Sequence, residues 1–311
     1  MVSLFFVYFC NKEAKSMKRM FLFISVLLSF ISCNSPENEQ KETKSLTEEQ
    51  KQYWYNNEAE ISSYQLTQAR YGELREGNAV LVFVTEPFSV KSNTKADNPT
   101  QEDISVLKLN YTKKFNTGIY PYSMMNSTFF PFQNGQYSLK VSSSSQEWCG
   151  HTYMELLNKS KFEVEINSYF EGESAEVTLD KAILEDDIYS MIRLQPEYLP
   201  QGKQKVIPSF FYLRLLHKEL KAYECTVSQS KINDSLLNVT LTYPELERSL
   251  SVSYQANFPY KIMSWEEEYY SGWGEGRKKL TTKATLLKTI KIDYWNKNSN
   301  GDTYLRDSLG F

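Results

Sequence analysis

Short segments in which apolar and polar residues alternate recur along most of this chain. Val106–Tyr111, VLKLNY, alternates cleanly, and Phe162, Val164 and Ile166 fall on one face of another such segment. Side chains of a strand point alternately to its two faces, so a period of two predicts strands with one buried face. Aromatic residues, which favour strands, make up 14% of the chain and agree with this assignment. The sequence therefore predicts a mainly β (α+β) fold with one large curved antiparallel sheet, either open or a half-barrel. A two-sheet sandwich is the alternative architecture.

One segment has a helical period instead. Leu184, Ile188 and Ile192 form an apolar stripe. Asp180 is placed to cap the first turn of this helix, because its side chain can accept backbone hydrogen bonds. We expect this one helix to pack against the sheet. Most of the apolar segments after it are predicted as strands, beginning with VIPSFFYLRLLH at Val206–His217.

The N-terminal segment has the pattern of an export signal. From Met17, the positive residues Lys18 and Arg19 precede the apolar stretch Met20–Ile31, which is too short to span a membrane. A small residue then precedes Cys33, and the segment resembles a bacterial lipobox. The resemblance implies cleavage before Cys33 and attachment of lipid to that residue. Met17 is accordingly the expected start of translation.

The predicted organisation has three parts. Residues 1–32 hold the upstream residues and the signal peptide, residues 33–52 hold the lipidated cysteine and a polar tether, and residues 53–311 form a single β-rich domain. Near the end of the tether, Thr47 and Gln50 fit a capping box, which predicts a short helix directly after Thr47.

Sequence also suggests a location. Asn34, rather than Asp, follows the predicted lipidated cysteine, and we expect a lipid-anchored protein of the cell envelope, held in the outer membrane and facing the periplasm. The predicted lipid anchor on Cys33 would make the membrane one partner of the protein. The formal net charge is −3 and no basic patch stands out, so nucleic acid is not an expected partner.

Cysteine and histidine are scarce in this chain. Cys10 precedes the expected start and Cys33 is the lipidation site, so Cys149 and Cys225 remain in an oxidising compartment. They could form a disulfide or stay as two separate buried thiols. Cys149 is two residues from His151, so the two are also candidates for a catalytic pair, which needs a thiolate activated by a base. We expect no metal site and no cofactor.

A dense aromatic segment, TGIYPYSMMNSTFFPF, is the main candidate for a binding surface. Aromatic and methionine side chains at a surface suit apolar ligands and protein partners. The alternative is that these side chains belong to core strands. The candidates are Tyr120, Tyr122, Met124, Met125, Phe129 and Phe130, together with Trp148 beside Cys149.

Four segments together resemble a known group of proteins: QARYGELREGNAVLVFVTE, KKFNTGIYPYSMM, SSSSQEWCGH and PSFFYLRLLHKELKAY. They are similar to uncharacterised bacterial envelope lipoproteins of about this length that often carry the label septum formation inhibitor Maf. The resemblance extends from about Tyr53 to Tyr223 and implies an envelope lipoprotein without an established activity. The Ser-x-Ser-Pro-Arg-Arg motif of Maf nucleotide pyrophosphatases has no counterpart, since Ser35-Pro36 is followed by Glu37.

No nucleophile elbow, zinc-protease motif, Walker loop or dinucleotide-binding motif occurs in the sequence. We therefore expect a non-enzymatic, lipid-anchored envelope protein that binds an apolar ligand or an envelope protein partner. Two alternatives remain open. One is a thiol-dependent enzyme that uses Cys149 and His151, and the other is an assembly or scaffolding subunit.

Overall fold

The computed structural model describes residues 45–133 and 136–310. The predicted signal peptide, the predicted lipidation site Cys33 and the first part of the predicted tether lie outside the described residues. Within them, sixteen strands join one sheet. They are β1 (Ala59–Arg70), β2 (Glu73–Ser89), β3 (Thr94–Lys95), β4 (Ile104–Thr117), β5 (Tyr120–Pro131), β6 (Lys140–Glu147), β7 (Gly150–Asn158), β8 (Phe162–Ser168), β9 (Ala175–Leu179), β10 (Ile183–Leu184), β11 (Gly202–Ile207), β12 (Tyr223–Asn233), β13 (Leu236–Tyr243), β14 (Arg248–Gln255), β15 (Ile262–Ser271) and β16 (Lys278–Ile292).

The order of the strands shows that the sheet curls back on itself. From one edge to the other it runs β10 to β16 in sequence order, then β1, β2, β4 and on to β9, while β3 pairs with β2. All neighbours are antiparallel except β10 and β11. The two edges, β9 and β10, are joined by only the three residues 180–182, a connection that spans at most about 15 Å. The edges therefore lie close together without pairing, which confirms the predicted large curved sheet.

Four short α-helices in the described ranges accompany the sheet: α1 (Glu48–Trp54), α2 (Ile188–Leu194), α3 (Phe210–Leu216) and α4 (Tyr304–Ser308). The capping box predicted at the start of α1 is present, with Thr47 and Gln50 hydrogen-bonded to each other's backbone. Residues of α2 and α3 share one hydrophobic cluster with strands from both halves of the sheet, so these two helices fill its concave side. No helix in the described part of the chain is long and apolar enough to cross a bilayer.

Two of the local predictions were wrong. The predicted helix does not begin after Asp180, which is exposed and pairs with Lys161 at 2.8 Å. Ile183–Leu184 instead forms the edge strand β10, and helical structure starts at Glu185. The apolar run predicted as a strand after residue 205 contains α3, whose first turn is capped by Ser209. One packed helix was predicted, and in the described part of the chain both α2 and α3 pack on the concave side of the sheet.

Candidate functional site

A cavity of 420 Å³ lies where the sheet ends, between the concave face of β7–β9 and α3 with the loop that follows it. Helix α3 covers the inner face of the sheet here, beside the edge strand β9. The apolar side chains of the lining come from both sides of the cavity. They are Met154, Ile166, Ala175 and Val177 from the strands, and Leu213 and Leu220 from α3 and its loop.

Strand alternation sets this lining. On β8 and β9, Ile166 pairs with Ala175 and Val164 with Val177, whereas the exposed pair Glu165 and Glu176 belongs to the opposite face. The same period of two that predicts these strands therefore also decides which side chains line the cavity.

The polar end of the cavity is built around Arg214. Its Nε donates to Oγ1 of Thr152 at 3.0 Å, and its Nη1 donates to Nε2 of His217 at 3.4 Å. The guanidinium carbon lies 4.3 Å from the ring centre of Phe170. Because Nε2 of His217 accepts, the imidazole proton lies on Nδ1, which donates to Glu173 in a short hydrogen bond.

Backbone geometry helps to place His217. This residue ends α3 in the left-handed conformation, with φ of 49°. Glu173, its partner, also accepts from Oγ of Ser168 at 2.7 Å. Burial raises the pKa of Glu173, but the hydrogen bonds from His217 and Ser168 outweigh it and hold that pKa below its usual value. The carboxylate is therefore well satisfied within the protein.

Cys149 and His151 are not assembled as a catalytic pair. Cys149 is exposed in the turn between β6 and β7, and no hydrogen bond joins it to His151 within the described residues. The carboxylate of Glu147 accepts from the backbone N–H of Cys149 at 2.6 Å. A hydrogen bond with Glu147 raises the pKa of the thiol. Since the thiolate is the nucleophile, this environment weakens rather than activates Cys149.

The candidate disulfide is not formed. Cys225 is buried on β12 while Cys149 is exposed, and both are free thiols. Cys149 lies in the turn between β6 and β7, Cys225 lies on β12, and no disulfide joins them. Burial raises the pKa of Cys225 to about 12, so this thiol is an inert core residue. In the described ranges, no group of three or more His, Cys, Asp or Glu side chains is arranged to hold a metal.

The aromatic segment is divided between the two faces of β5. Tyr122, Met124 and Phe130 point inward and are at most 5% exposed. They belong to the core, which corrects the prediction that they form a binding surface. Outward-facing Phe129 packs against Phe88 with ring centres 5.1 Å apart.

The other candidates lie near one end of the sheet. Trp148 is 68% exposed and stacks on Tyr120 with ring centres 6.2 Å apart. Trp148 and Met125 line an open groove of 890 Å³ over β5–β8, together with the exposed rings of Tyr153 and Tyr169. Met125 and Trp148 are therefore exposed at the surface, and their role as a binding surface stays a prediction.

Sequence reasoning missed most of the cavity. Arg214, Thr152 and Glu173 were not singled out from the sequence, and His217 was not assigned to a ligand site. Ser209 before an apolar run is a helix-start signal that could have revealed α3 and hence the side of the helix that carries Arg214. No local signal connects His217 with Glu173, 44 residues away.

Comparisons with known proteins add little beyond the shape. The sequence matches no family model, and no curated protein matches it significantly. A solved structure with some likeness is the crystal structure of a beta-barrel-like protein of domain of unknown function DUF1849 from Brucella abortus. The two share 10% identity at a TM-score of 0.44, over 76% of this chain and 98% of that one. A likeness of this degree supports no conclusion about function.

Proposed function

We propose that this protein is a non-enzymatic, lipid-anchored protein of the cell envelope that binds a small apolar ligand in the cavity between β7–β9 and α3. The observation that carries the proposal is the cavity itself, with six apolar side chains in its lining and one buried cationic group. Its volume of 420 Å³ falls within the range of about 300–1,000 Å³ typical of small-molecule sites.

The rest of the concave side supports this choice of site. Much of it is closed by α2 and α3, whose side chains pack with Tyr111 and Trp265 in the aromatic core. A large lipid-filled half-barrel would need this space to be open. A ligand of modest size at the edge of the sheet fits the packing better.

Anchoring and location belong to the proposal as well. They are supported by the lipobox ending at Cys33 and by the resemblance to envelope lipoproteins. The thiol-enzyme alternative receives no support from the surroundings of Cys149, where Glu147 opposes ionisation of the thiol.

Native mass spectrometry tests ligand binding directly. The Cys33→Ala protein, exported and purified without detergent, should show an added mass under native conditions that disappears on denaturation. Absence of any bound mass, together with no binding of added decanoate or decanol in calorimetry, would refute the ligand proposal. The denatured mass also counts the hydrogens of Cys149 and Cys225 and so reads their redox state.

Two neighbouring substitutions locate the site. Val177→Trp places a large ring in the cavity and should abolish binding, because Val177 lines it. Thr178→Trp is the matched control, since Thr178 is the next residue of β9, is exposed and does not line the cavity. Equal binding by both variants would place the ligand elsewhere.

A further inference from the structure

An apolar ligand alone does not explain why Arg214 is part of the cavity lining. Its side chain is only 8% exposed, and its two hydrogen bonds go to the uncharged atoms Thr152 Oγ1 and His217 Nε2. Its remaining terminal nitrogen, Nη2, has no hydrogen bond among the described residues, and no carboxylate forms an ion pair with the group there. A buried cation without a counter-charge is costly, so such a group is rarely kept without a partner.

Two other buried arginines in this chain show the usual solution. Arg193 places Nη1 and Nη2 on the two oxygens of Glu60, at 2.5 and 2.7 Å. Arg248 does the same with Glu185, at 2.6 and 2.5 Å, and its Nε donates to Glu267 at 2.8 Å. Each of these guanidinium groups forms the bidentate contact with a carboxylate that arginine favours.

The fourth buried arginine, Arg70, also has no carboxylate partner, but its terminal nitrogens are used within the protein. They donate to the carbonyl of Leu215 and to the hydroxyls of Tyr71 and Tyr122. Arg70 does not line the cavity. Burial lowers the pKa of Arg214, the negative charge of Glu173 raises it, and the positive charge of Arg70 lowers it. The net direction is downward, so the charge of Glu173 does not offset the burial of Arg214 and the like charge of Arg70.

Two carboxylates line the cavity: that of the exposed residue Glu219, which pairs with Lys221 at 3.2 Å, and that of Glu173. Glu173 is held by Nδ1 of His217 and Oγ of Ser168, so the imidazole stands between it and Arg214. The exposed side chain of Lys218 adds a further positive charge to the lining. Arg214 is itself part of the lining, so an anion in the cavity would lie beside its guanidinium group.

We propose that the ligand of this cavity is an amphiphile with an anionic head group, a carboxylate or a phosphate, bound by Nη2 of Arg214. Its apolar chain lies among Met154, Ile166, Val177 and Leu220. The inference rests on the proposed ligand-binding function and adds the chemical class of the ligand. Arginine suits this role because its planar group binds the oxygens of carboxylates and phosphates with defined geometry.

Three probes with the same ten-carbon chain distinguish the contribution of the head group to the affinity from that of the chain. Isothermal titration calorimetry of the Cys33→Ala protein with decanoate, decyl phosphate and decanol, each below its aggregation concentration, should show at least a tenfold tighter affinity for one anion than for the alcohol. The preferred anion then distinguishes a carboxylate head group from a phosphate. Equal affinity for all three would overturn the inference and leave the binding function standing. Failure of all three to bind would refute the binding function itself.

Substitution of the arginine completes the test. Arg214→Met keeps an unbranched apolar side chain and should remove the preference for the anion while decanol still binds. Arg277→Met is the matched control, because it removes the same charge from an exposed residue outside the cavity and should keep the preference. Should Arg214→Met fail to fold, as judged by circular dichroism, Arg214→Lys takes its place and should weaken anion binding at least threefold. An unchanged preference in the folded Arg214 variant, or equal loss in both arginine variants, would contradict the assignment to Arg214.

Discussion

Buried charges in this protein are held by partners that are distant in sequence. Arg193 and Glu60 are 133 residues apart, and Arg248 and Glu185 are 63 apart, yet both pairs are at most 1% exposed. Each pair fastens an inner segment to the sheet: Arg193 lies on α2 and Glu185 begins the turn that leads into it. Removing one partner leaves the other as an isolated buried charge, which costs far more than the pair contributes.

Arg248→Met should therefore destabilise the protein strongly. The substitution leaves the carboxylates of Glu185 and Glu267 without their cationic partner, and breaking a buried pair in this way costs about 3–5 kcal/mol. Arg214→Met strands no carboxylate, so its free energy of unfolding should lie well above that of Arg248→Met. Urea denaturation of both variants measures the difference. Comparable losses would mean that Arg214 has a counter-charge within the protein, against the inferred anion site.

The acidic turn before α2 predicts a specific pH dependence. Burial raises the pKa of Asp187 to about 7 and that of Asp186 to about 6, both from 3.8. A carboxyl group with a raised pKa in the folded protein stabilises it below the unfolded pKa, and this stability is lost as the pH rises through the folded pKa. Between about pH 4 and pH 7, these two residues should make stability fall with increasing pH.

The substitution Asp187→Asn tests the predicted fall in stability with increasing pH. An amide can still accept from the backbone N–H of Ser138 and donate to its hydroxyl, two groups that now bind Asp187. The unfolding free energy of the variant, measured in urea from pH 4 to pH 7.5, should fall less with pH than that of the wild type. Asp180→Asn is the control, because Asp180 is exposed and Lys161 lowers its pKa. A steeper fall in the Asp187 variant would contradict the burial of a protonated carboxyl.

At the level of elements, the strands followed from the sequence more closely than the helices. The alternation of Val106–Tyr111 lies within the longer strand β4, and Phe162, Val164 and Ile166 share the inner face of β8. An apolar run such as Phe210–Leu216 has no such period, because a helix packed inside a curved sheet is apolar on most sides. Only the length of the run and its capping residues distinguish a helix from a strand here, and Ser209 was the informative capping residue.

The turn between β1 and β2 does not lie at the glycine that its sequence suggests. Glu76-Gly77-Asn78 has the composition of a turn, but the chain turns at Tyr71 and Gly72, which both have positive φ. Gly77 instead lies within β2 opposite Phe115 of β4. A Cβ at Gly77 would come within 2.2 Å of the carbonyl oxygen of Lys114. The glycine permits close approach of two strands rather than a turn.

Gly77→Ala should accordingly destabilise the sheet. The added methyl group must displace the backbone of β4, and overpacking of this kind costs about 1–3 kcal/mol. Gly276→Ala is the matched control, since nothing lies within 4 Å of a Cβ there and its φ is not positive. Thermal unfolding by circular dichroism compares the two. A Gly77→Ala protein as stable as the control would show that β2 and β4 separate without cost.

For the whole molecule, the decisive feature is that the two edges of the sheet meet without pairing. The cavity lies beside this seam, lined by β9 on one side and by α3 and its loop on the other. Sequence predicted a curved sheet but not the seam, because the seam depends on where the sixteenth strand joins the first. The local patterns of β1 and β16 do not encode that pairing.

A ligand that contacts both β9 and α3 should suppress local opening of the cavity beside the seam. In hydrogen exchange, Ala175–Leu179 and residues 213–220 should exchange faster than the central strands β1 and β2, because β9 is paired on one side only. If opening releases the ligand, saturation at about 100 times its dissociation constant stabilises the closed state by about 2.7 kcal/mol, so exchange slows about a hundredfold. The exchange rates of these segments are measured by mass spectrometry with and without the preferred ten-carbon anion. Val177→Trp, with its cavity filled, should show no change on ligand addition. Slowing confined to the groove at Trp148, with none in β9, would move the binding site from the seam to the outer surface.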